Sequence, residues 1–291
     1  MRISSECTPC MMEQARRAAR LSGLEGGVLE VAMRETEALL RGLDPRLSPP
    51  AAALFYDRIK ELSGVEDPYR ALKSACNAAA LRLLPGLRRE AASSPDPLSF
   101  ALRAAVAGNI IDFGARSGPG DLEENLRRVL GGDLFVDHVY LLRKDLEKAS
   151  SVLLVCDNAG EIALDRLLCE VLRDLYPGIK LTAAVRGGPM INDATLEDAA
   201  EAGLDSVCRV IDTGVALAGV DLERSSREFR EAFSSTDVIL AKGQGNFETL
   251  DSRGENIYLL FQVKCDCVSR LLNAEKGSAL VCSLRALGVV S

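Results

Sequence analysis

The chain changes its hydrophobic period near residue 150, and no other feature constrains its fold as strongly. Before that point, apolar residues three and four apart recur at about 11–21, 28–41, 51–62, 68–84, 97–113 and 121–130, the spacing of amphipathic helices. Turn signals separate them at Ser22-Gly23, Leu47-Ser48-Pro49-Pro50, Ser93-Ser94-Pro95-Asp96-Pro97 and Ser117-Gly118-Pro119-Gly120. After it come short, uninterrupted apolar runs of strand length, beginning with Ser151-Val152-Leu153-Leu154-Val155-Cys156 and continuing at 179–185, 207–211, 238–241, 257–261 and 279–282. Helical stretches at 161–174, 195–202, 222–233 and 265–272 lie between most of them. Strands that are apolar throughout and alternate with helices belong to a mostly parallel sheet covered on both faces. The expected fold class is therefore α/β: a three-layer α/β/α, Rossmann-like domain over 149–291, with an N-terminal all-helical domain over 1–148.

Several functions are disfavoured at this level. A formal charge of −7 argues against a general nucleic-acid binder, which would carry a basic patch. No run approaches the ~18 uncharged apolar residues of a membrane span. The start, Met1-Arg2-Ile3-Ser4-Ser5-Glu6-Cys7, lacks the basic-then-apolar layout of a signal peptide, so a cytoplasmic protein is expected. Nine irregularly spaced cysteines, several inside apolar runs, suit a reducing compartment better than a disulfide scaffold.

Open α/β sheets bind ligands outside the carboxyl ends of their strands, so the polar residues just after each run are the candidates. The first run ends in Asp157-Asn158-Ala159-Gly160-Glu161-Ile162, with Asp165 one turn on. The second ends in Arg186-Gly187-Gly188-Pro189-Met190-Ile191-Asn192-Asp193. A carboxylate–amide–carboxylate set of hard oxygen donors suits Mg²⁺ or Mn²⁺. Either Asp157 or Asp193 alone would read as a helix cap; two of them beyond adjacent strands read as a site. A later run leads into Lys242-Gly243-Gln244-Gly245-Asn246-Phe247-Glu248, a glycine-rich turn able to offer a cation and amides to a phosphate. Asp212-Thr213-Gly214 follows another strand and reads equally as cleft lining or as an ordinary turn.

These residues carry a resemblance. Val155-Cys156-Asp157-Asn158-Ala159-Gly160-Glu161, Asn192-Asp193-Ala194-Thr195 and the Lys242–Glu248 turn are similar to the signatures of the damage-control phosphatase family, long filed as domain of unknown function eighty-nine. Ala107-Gly108-Asn109-Ile110-Ile111-Asp112-Phe113 and the opening Cys7-Thr8-Pro9-Cys10 add to it, the latter resembling the compact microbial branch. The resemblance implies a helical domain packed on an α/β/α domain and hydrolysis of small phosphorylated metabolites, such as sugar phosphates or damaged phosphometabolites. It implies a divalent metal on Asp157, Asn158 and Asp193, with Lys242 at the substrate phosphate and Asn109 and Asp112 lining the cleft. Mg²⁺ or Mn²⁺ is the expected metal, with Co²⁺ and Ni²⁺ as further candidates.

The catalytic set is read as Asp157, Asp193, Glu161 and Lys242, and the substrate-binding set as Asn109, Asp112, Arg186, Asn192, Gly243, Asn246 and Glu248. Water could attack phosphorus with Glu161 or Asp193 as base, or Asp157 could attack and form an aspartyl-phosphate. A carboxyl methyltransferase using S-adenosylmethionine and a non-catalytic phosphometabolite-binding protein are the rivals. The former is disfavoured because Asp-Asn-Ala-Gly-Glu stands where a nucleoside cofactor usually needs a glycine-rich turn. One Cys7-x-x-Cys10 pair cannot complete a structural zinc site, and Cys265-x-Cys267 has the wrong spacing for a standard knuckle; shared zinc, redox and plain-thiol readings stay open. His138, the only histidine, reads as structural, and the oligomeric state is not encoded in any recognisable way.

Overall fold

The computed structural model of the chain describes residues 1–44, 47–48, 50, 54–108, 119–250 and 256–287. The first helices are α1 (Cys7–Leu21), α2 (Gly26–Arg41) and α3 (Phe55–Ser63), followed by α4 (Arg70–Ser93), α5 (Pro97–Gly108) and α6 (Pro119–Gly131). A short strand β1 (Val136–Asp137) and α7 (Val139–Leu146) lead to β2 (Ser151–Val155), α8 (Glu161–Leu175), β3 (Lys180–Val185), α9 (Leu196–Ala202) and β4 (Arg209–Asp212). The chain closes with α10 (Arg227–Ser235), β5 (Val238–Lys242), α11 (Gly243–Leu250), β6 (Ile257–Gln262), α12 (Asp266–Leu272), β7 (Ala279–Ser283) and α13 (Leu284–Leu287).

Among the described residues the strands form one sheet in the order β1-β7-β6-β5-β2-β3-β4. All neighbours are parallel except β6 and β7. Alternation sends Val152 and Leu154 into one core and Leu153 and Val155 into another, which is why β2 reads as apolar throughout. The first core gathers α4 to α9; the second gathers Phe229 of α10, Phe247 of α11 and Val268 of α12. The result is the three-layer α/β/α arrangement.

The helical half behaves as two parts. Helices α1 to α3 make their own core around Ala15, Phe55 and Ile59, closed by Met190 from the turn after β3. Helices α4 to α7 instead join the sheet's core, and β1 pairs with β7, so residues before 149 already belong to the sheet layer. Helix α4 also runs through Pro85 to Ser93, beyond the end expected at 84. Of the helix expected at 97–113, residues 109–113 lie outside the described residues, as do 51–53 of the helix expected at 51–62.

From β2 the chain moves outward to β3 and β4, then returns to the other side of β2 with β5 and β6. The order therefore reverses between β2 and β5, and ligands bind such sheets at the carboxyl ends flanking that reversal. Asp157 follows β2 there, and Gly243 follows β5.

Candidate active site

The turns after β2 and β3 are joined main chain to main chain. Ala194 N donates to Asp157 O at 2.7 Å and Ala159 N donates to Asn192 O at 2.9 Å. Asn158 and Asp193 form an isolated antiparallel bridge between them. This pairing brings Asp157, Asn158 and Asp193 together, all of them buried. Ile191, just before Asn192, has φ +47°, a strained conformation for a β-branched residue and one that concentrates at functional turns.

Asn158 Nδ2 donates to Asp157 Oδ2 at 2.7 Å and to Glu161 Oε2 at 3.1 Å. Gly243 closes over the same carboxylate: its φ is +78°, and a Cβ there would lie 1.9 Å from Asp157 Oδ2. Glycine is thus required on both backbone and contact grounds. Arg186 is buried between the turns. Its Nε donates to Asp193 Oδ2 at 2.6 Å, Nη2 reaches Asp157 Oδ1 at 3.4 Å, and Nη1 donates to Gly219 O at 3.1 Å. Asn246, also buried, accepts from both Nη atoms of Arg186 at 3.4 Å and donates to Lys242 O.

Lys242 is the last residue of β5. Its side chain is fully buried and its Nζ donates to Ala105 O at 3.0 Å, to Asp165 Oδ1 at 2.7 Å and to Glu161 Oε1. Burial works against its charge, but Asp165 and Glu161 outweigh that and hold its pKa above the ordinary lysine value. Lys242, expected at the substrate phosphate, has its charge matched here by the carboxylates of Asp165 and Glu161. Both carboxylate oxygens of Glu161, expected as a candidate base, are hydrogen-bonded, Oε1 to Lys242 and Oε2 to Asn158. Asp165 Oδ2 is buried without a hydrogen-bond partner among the described residues, and burial raises its pKa.

The remaining expectations resolve unevenly. Glu248 is buried and accepts from Gln244 Nε2 at 2.8 Å; burial raises its pKa to about 7. Asn192 is buried in the turn beside Asp193. Asn109 and Asp112 lie outside the described residues; α5 ends just before them at Gly108, where a Cβ would come within 3.1 Å of Glu161 Cγ. Thr213 and Asp212 brace a turn: Thr213 Oγ1 accepts from Gly187 N at 3.2 Å, and Asp212 Oδ1 accepts from Gly214 N at 2.7 Å. His138 Nδ1 accepts from Ser283 N at 3.1 Å, a structural role. Ser4 Oγ lies 3.5 Å from Cys7 Sγ and 3.1 Å from Cys267 Sγ.

Two residues carried no signal in the sequence. Lys264, just past β6 and partly exposed, lies close enough to draw down the pKa values of Asp157, Asp193 and Glu248. Asn77 of α4 reaches the turn after β2 from behind. Neither stands in a glycine-rich or acidic motif that would single it out.

The donor set was tested against a divalent metal. Burial raises the pKa of Asp157, and the charges of Asp193 and Glu161 push the same way, so the cluster is short of positive charge despite Arg186. Burial raises Asp193 as well. Two buried carboxylates beside an amide, lacking a full complement of cations, fit a hard divalent cation. Among the described residues no group of three or more His, Cys, Asp or Glu forms a metal site.

Residues 3–280 match the family described as the damage-control phosphatase ARMT1-like domain. The chain belongs to that family. It is 35% identical over 285 residues to a damage-control phosphatase of Pyrococcus horikoshii, covering 97% of this chain and 98% of the relative. A damage-control phosphatase of Archaeoglobus fulgidus is 31% identical over 285 residues, covering 95% and 97%. A crystal structure of a family member from Pyrococcus horikoshii superposes with a TM-score of 0.89 at 33% identity, covering 97% of this chain and 99% of that one. Family membership supports a metal-dependent phosphatase acting on small phosphometabolites. Within this damage-control phosphatase, no helix among the described residues is long and apolar enough to cross a membrane.

Proposed function

We propose that Asp157, Asn158 and Asp193 hold Mg²⁺ or Mn²⁺ at the β2/β5 reversal, and that a small phosphomonoester is hydrolysed there. The observation that carries the reading is the main-chain pairing that brings these three buried oxygen donors together. A divalent cation would supply Lewis acidity and charge neutralisation at the phosphoryl group.

The protein's own residues do the rest. Arg186 holds Asp157 and Asp193 at a fixed separation and orients Asn246. Lys264 takes the role of the cation facing substrate phosphate, because it is the partly exposed lysine whose charge reaches both carboxylates. Glu161 and Lys242 act as positioning residues: Glu161 accepts from Asn158 and is itself held by Lys242. Water attacks phosphorus while Asp193 accepts its proton; the new P–O bond forms as the ester P–O bond breaks, and the departing alkoxide takes a proton from solvent.

Methyl transfer has no support from the geometry, because the turn after β2 is filled by the carboxylate–amide pair and the Gly160 amide is already bonded to Asn77. A cytoplasmic setting and the absence of a nucleic-acid partner are part of the same proposal.

The test is hydrolysis of p-nitrophenyl phosphate by metal-stripped protein, with Mg²⁺, Mn²⁺, Co²⁺ and Ni²⁺ restored one at a time, alongside a panel of sugar phosphates. Turnover that returns with metal and disappears in Asp193→Ala is expected. Binding of these phosphoesters without turnover under any metal would replace the enzyme reading with the binding-protein one.

A further inference from the structure

One side chain of helix α4 bonds both to the turn after β2 and to helix α9, which follows the turn after β3. Asn77 is fully buried. Its Oδ1 accepts from Gly160 N at 2.5 Å, while Nδ2 donates to Asp198 Oδ1 at 3.1 Å and Glu201 Oε2 at 2.8 Å. The amide can face only this way, because its oxygen meets a backbone donor and its nitrogen meets two carboxylates.

The position of these contacts gives them meaning. Gly160 is the N-cap of α8 and has no side chain with which to satisfy the helix's first amides. Asn77, from another helix, binds the amide of this N-cap residue itself. Gly160 lies just past Asp157 and Asn158 in the same turn, so fixing its amide fixes where that turn enters α8. On the other side, Asp198 closes the capping box of α9: its Oδ2 accepts from Thr195 N at 2.9 Å and from Thr195 Oγ1 at 2.8 Å. Thr195 lies just past Asp193. One amide therefore links the helix start after Asp157 and Asn158 to the helix start after Asp193.

The link is stiffened from one turn earlier on α4. Lys73 Nζ lies 2.9 Å from Asp198 Oδ2 and 2.9 Å from Asp67 Oδ2, and its side chain is as deeply buried as that of Asp198. Lys73 stays charged because its two carboxylate partners outweigh its burial. It leaves Asp198 with a counter-ion, so the amide and the ammonium hold the same carboxylate from two directions.

We propose that Asn77 is a positioning residue for the metal, setting the separation of the two turns that carry Asp157, Asn158 and Asp193. It does so from the helical half of the chain, without touching any of the three. This inference rests on the metal reading of the site given above. Partners of this kind orient ligands and commonly change metal affinity by about 10–100-fold when removed.

The experiment is calorimetric titration of metal-stripped protein with Mn²⁺, paired with phosphatase kinetics at low and saturating Mn²⁺. Wild type is compared with Asn77→Ala, Asn77→Asp and Ser74→Ala; Ser74 is an exposed neighbour on α4 whose hydroxyl donates to Glu201. In Asn77→Ala the Mn²⁺ Kd should weaken about tenfold, with kcat at low Mn²⁺ falling and largely recovering at saturation, and with KM little changed. Ser74→Ala should match wild type. Asn77→Asp keeps the acceptor for Gly160 but loses the donor and places a third carboxylate beside Asp198 and Glu201, so its Mn²⁺ affinity should also fall. A folded Asn77→Ala with wild-type Mn²⁺ affinity overturns the proposal. Should that variant not fold, wild-type affinity in a folded Asn77→Asp overturns it equally. If wild type and Asp193→Ala take up Mn²⁺ alike, the metal reading itself fails, an outcome distinct from failure at Asn77.

Discussion

Arg186 donates from Nε to Asp193 Oδ2 across 2.6 Å, with both side chains shut away from solvent. The same guanidinium reaches Asp157, so one cation spans the acidic ends of two neighbouring strands. Breaking such a buried pair from the cationic side leaves like charges facing each other.

Arg186→Met should therefore cost about 3–5 kcal/mol of stability when divalent metal is removed with a chelator. Part of that loss should return when Mn²⁺ is added, because a cation again separates the two carboxylates. Urea unfolding with and without metal reads both numbers. An unchanged midpoint in chelator would mean that Arg186 does not hold the pair.

The two lysines should separate cleanly. Lys242→Met abandons Glu161 and Asp165 in the interior and should cost about 3–5 kcal/mol. Lys264→Ala should leave stability within about 0.5 kcal/mol, as surface substitutions usually do, while raising KM for phosphoesters. Denaturant curves and steady-state kinetics on both variants check this. Normal stability with a raised KM in Lys242→Met would return Lys242 to the phosphate.

Gly243→Ala should abolish turnover without unfolding the sheet. The new methyl would fall on Asp157 Oδ2 in a backbone conformation of φ +78°, so the carboxylate must move. Circular dichroism should stay near wild type while phosphatase activity falls by about 100-fold or more, the scale of a lost catalytic contact. Retained activity would place Asp157 outside the reaction.

Glu248 gives a pH signature. Burial raises its pKa to about 7 in the fold, above the ~4.3 of an unfolded glutamate. Below ~4.3 the proton is bound in both states, and stability is lost as pH rises towards 7, because the folded state must then ionise a buried group. In chelator, Glu248→Gln should be more stable than wild type at pH 8 by roughly 3–4 kcal/mol, with the gap shrinking towards pH 5. Thermal or urea unfolding across that range measures it, and a gap independent of pH would refute the assignment.

The sequence determined the layered half of the molecule because its information is local. Runs such as 151–156 and 238–241 are apolar throughout only because both faces of a central parallel strand are covered, and that composition is visible without any partner. The turn residues Asp157, Asn158, Asp193 and Gly243 were legible for the same reason: strand ends announce themselves, and ligand sites gather there. The helical half was less legible. Amphipathic spacing says that a helix buries a face but not against what, so the split between α1–α3 and the sheet-packed α4–α7 could not be read. Two residues of β1 are too few to show any period.

Only the tertiary structure decided which charges meet. Lys242 lies next to a glycine-rich turn in sequence, yet its partners are Glu161 and Asp165, 81 and 77 positions away. Asn77 finds Gly160 across 83 positions, with no motif at either end to pair them. A buried ion or amide must be satisfied wherever the fold places it. Which partner does so depends on packing angles between helices and sheet, and these are set by the whole core rather than by the residues on either side.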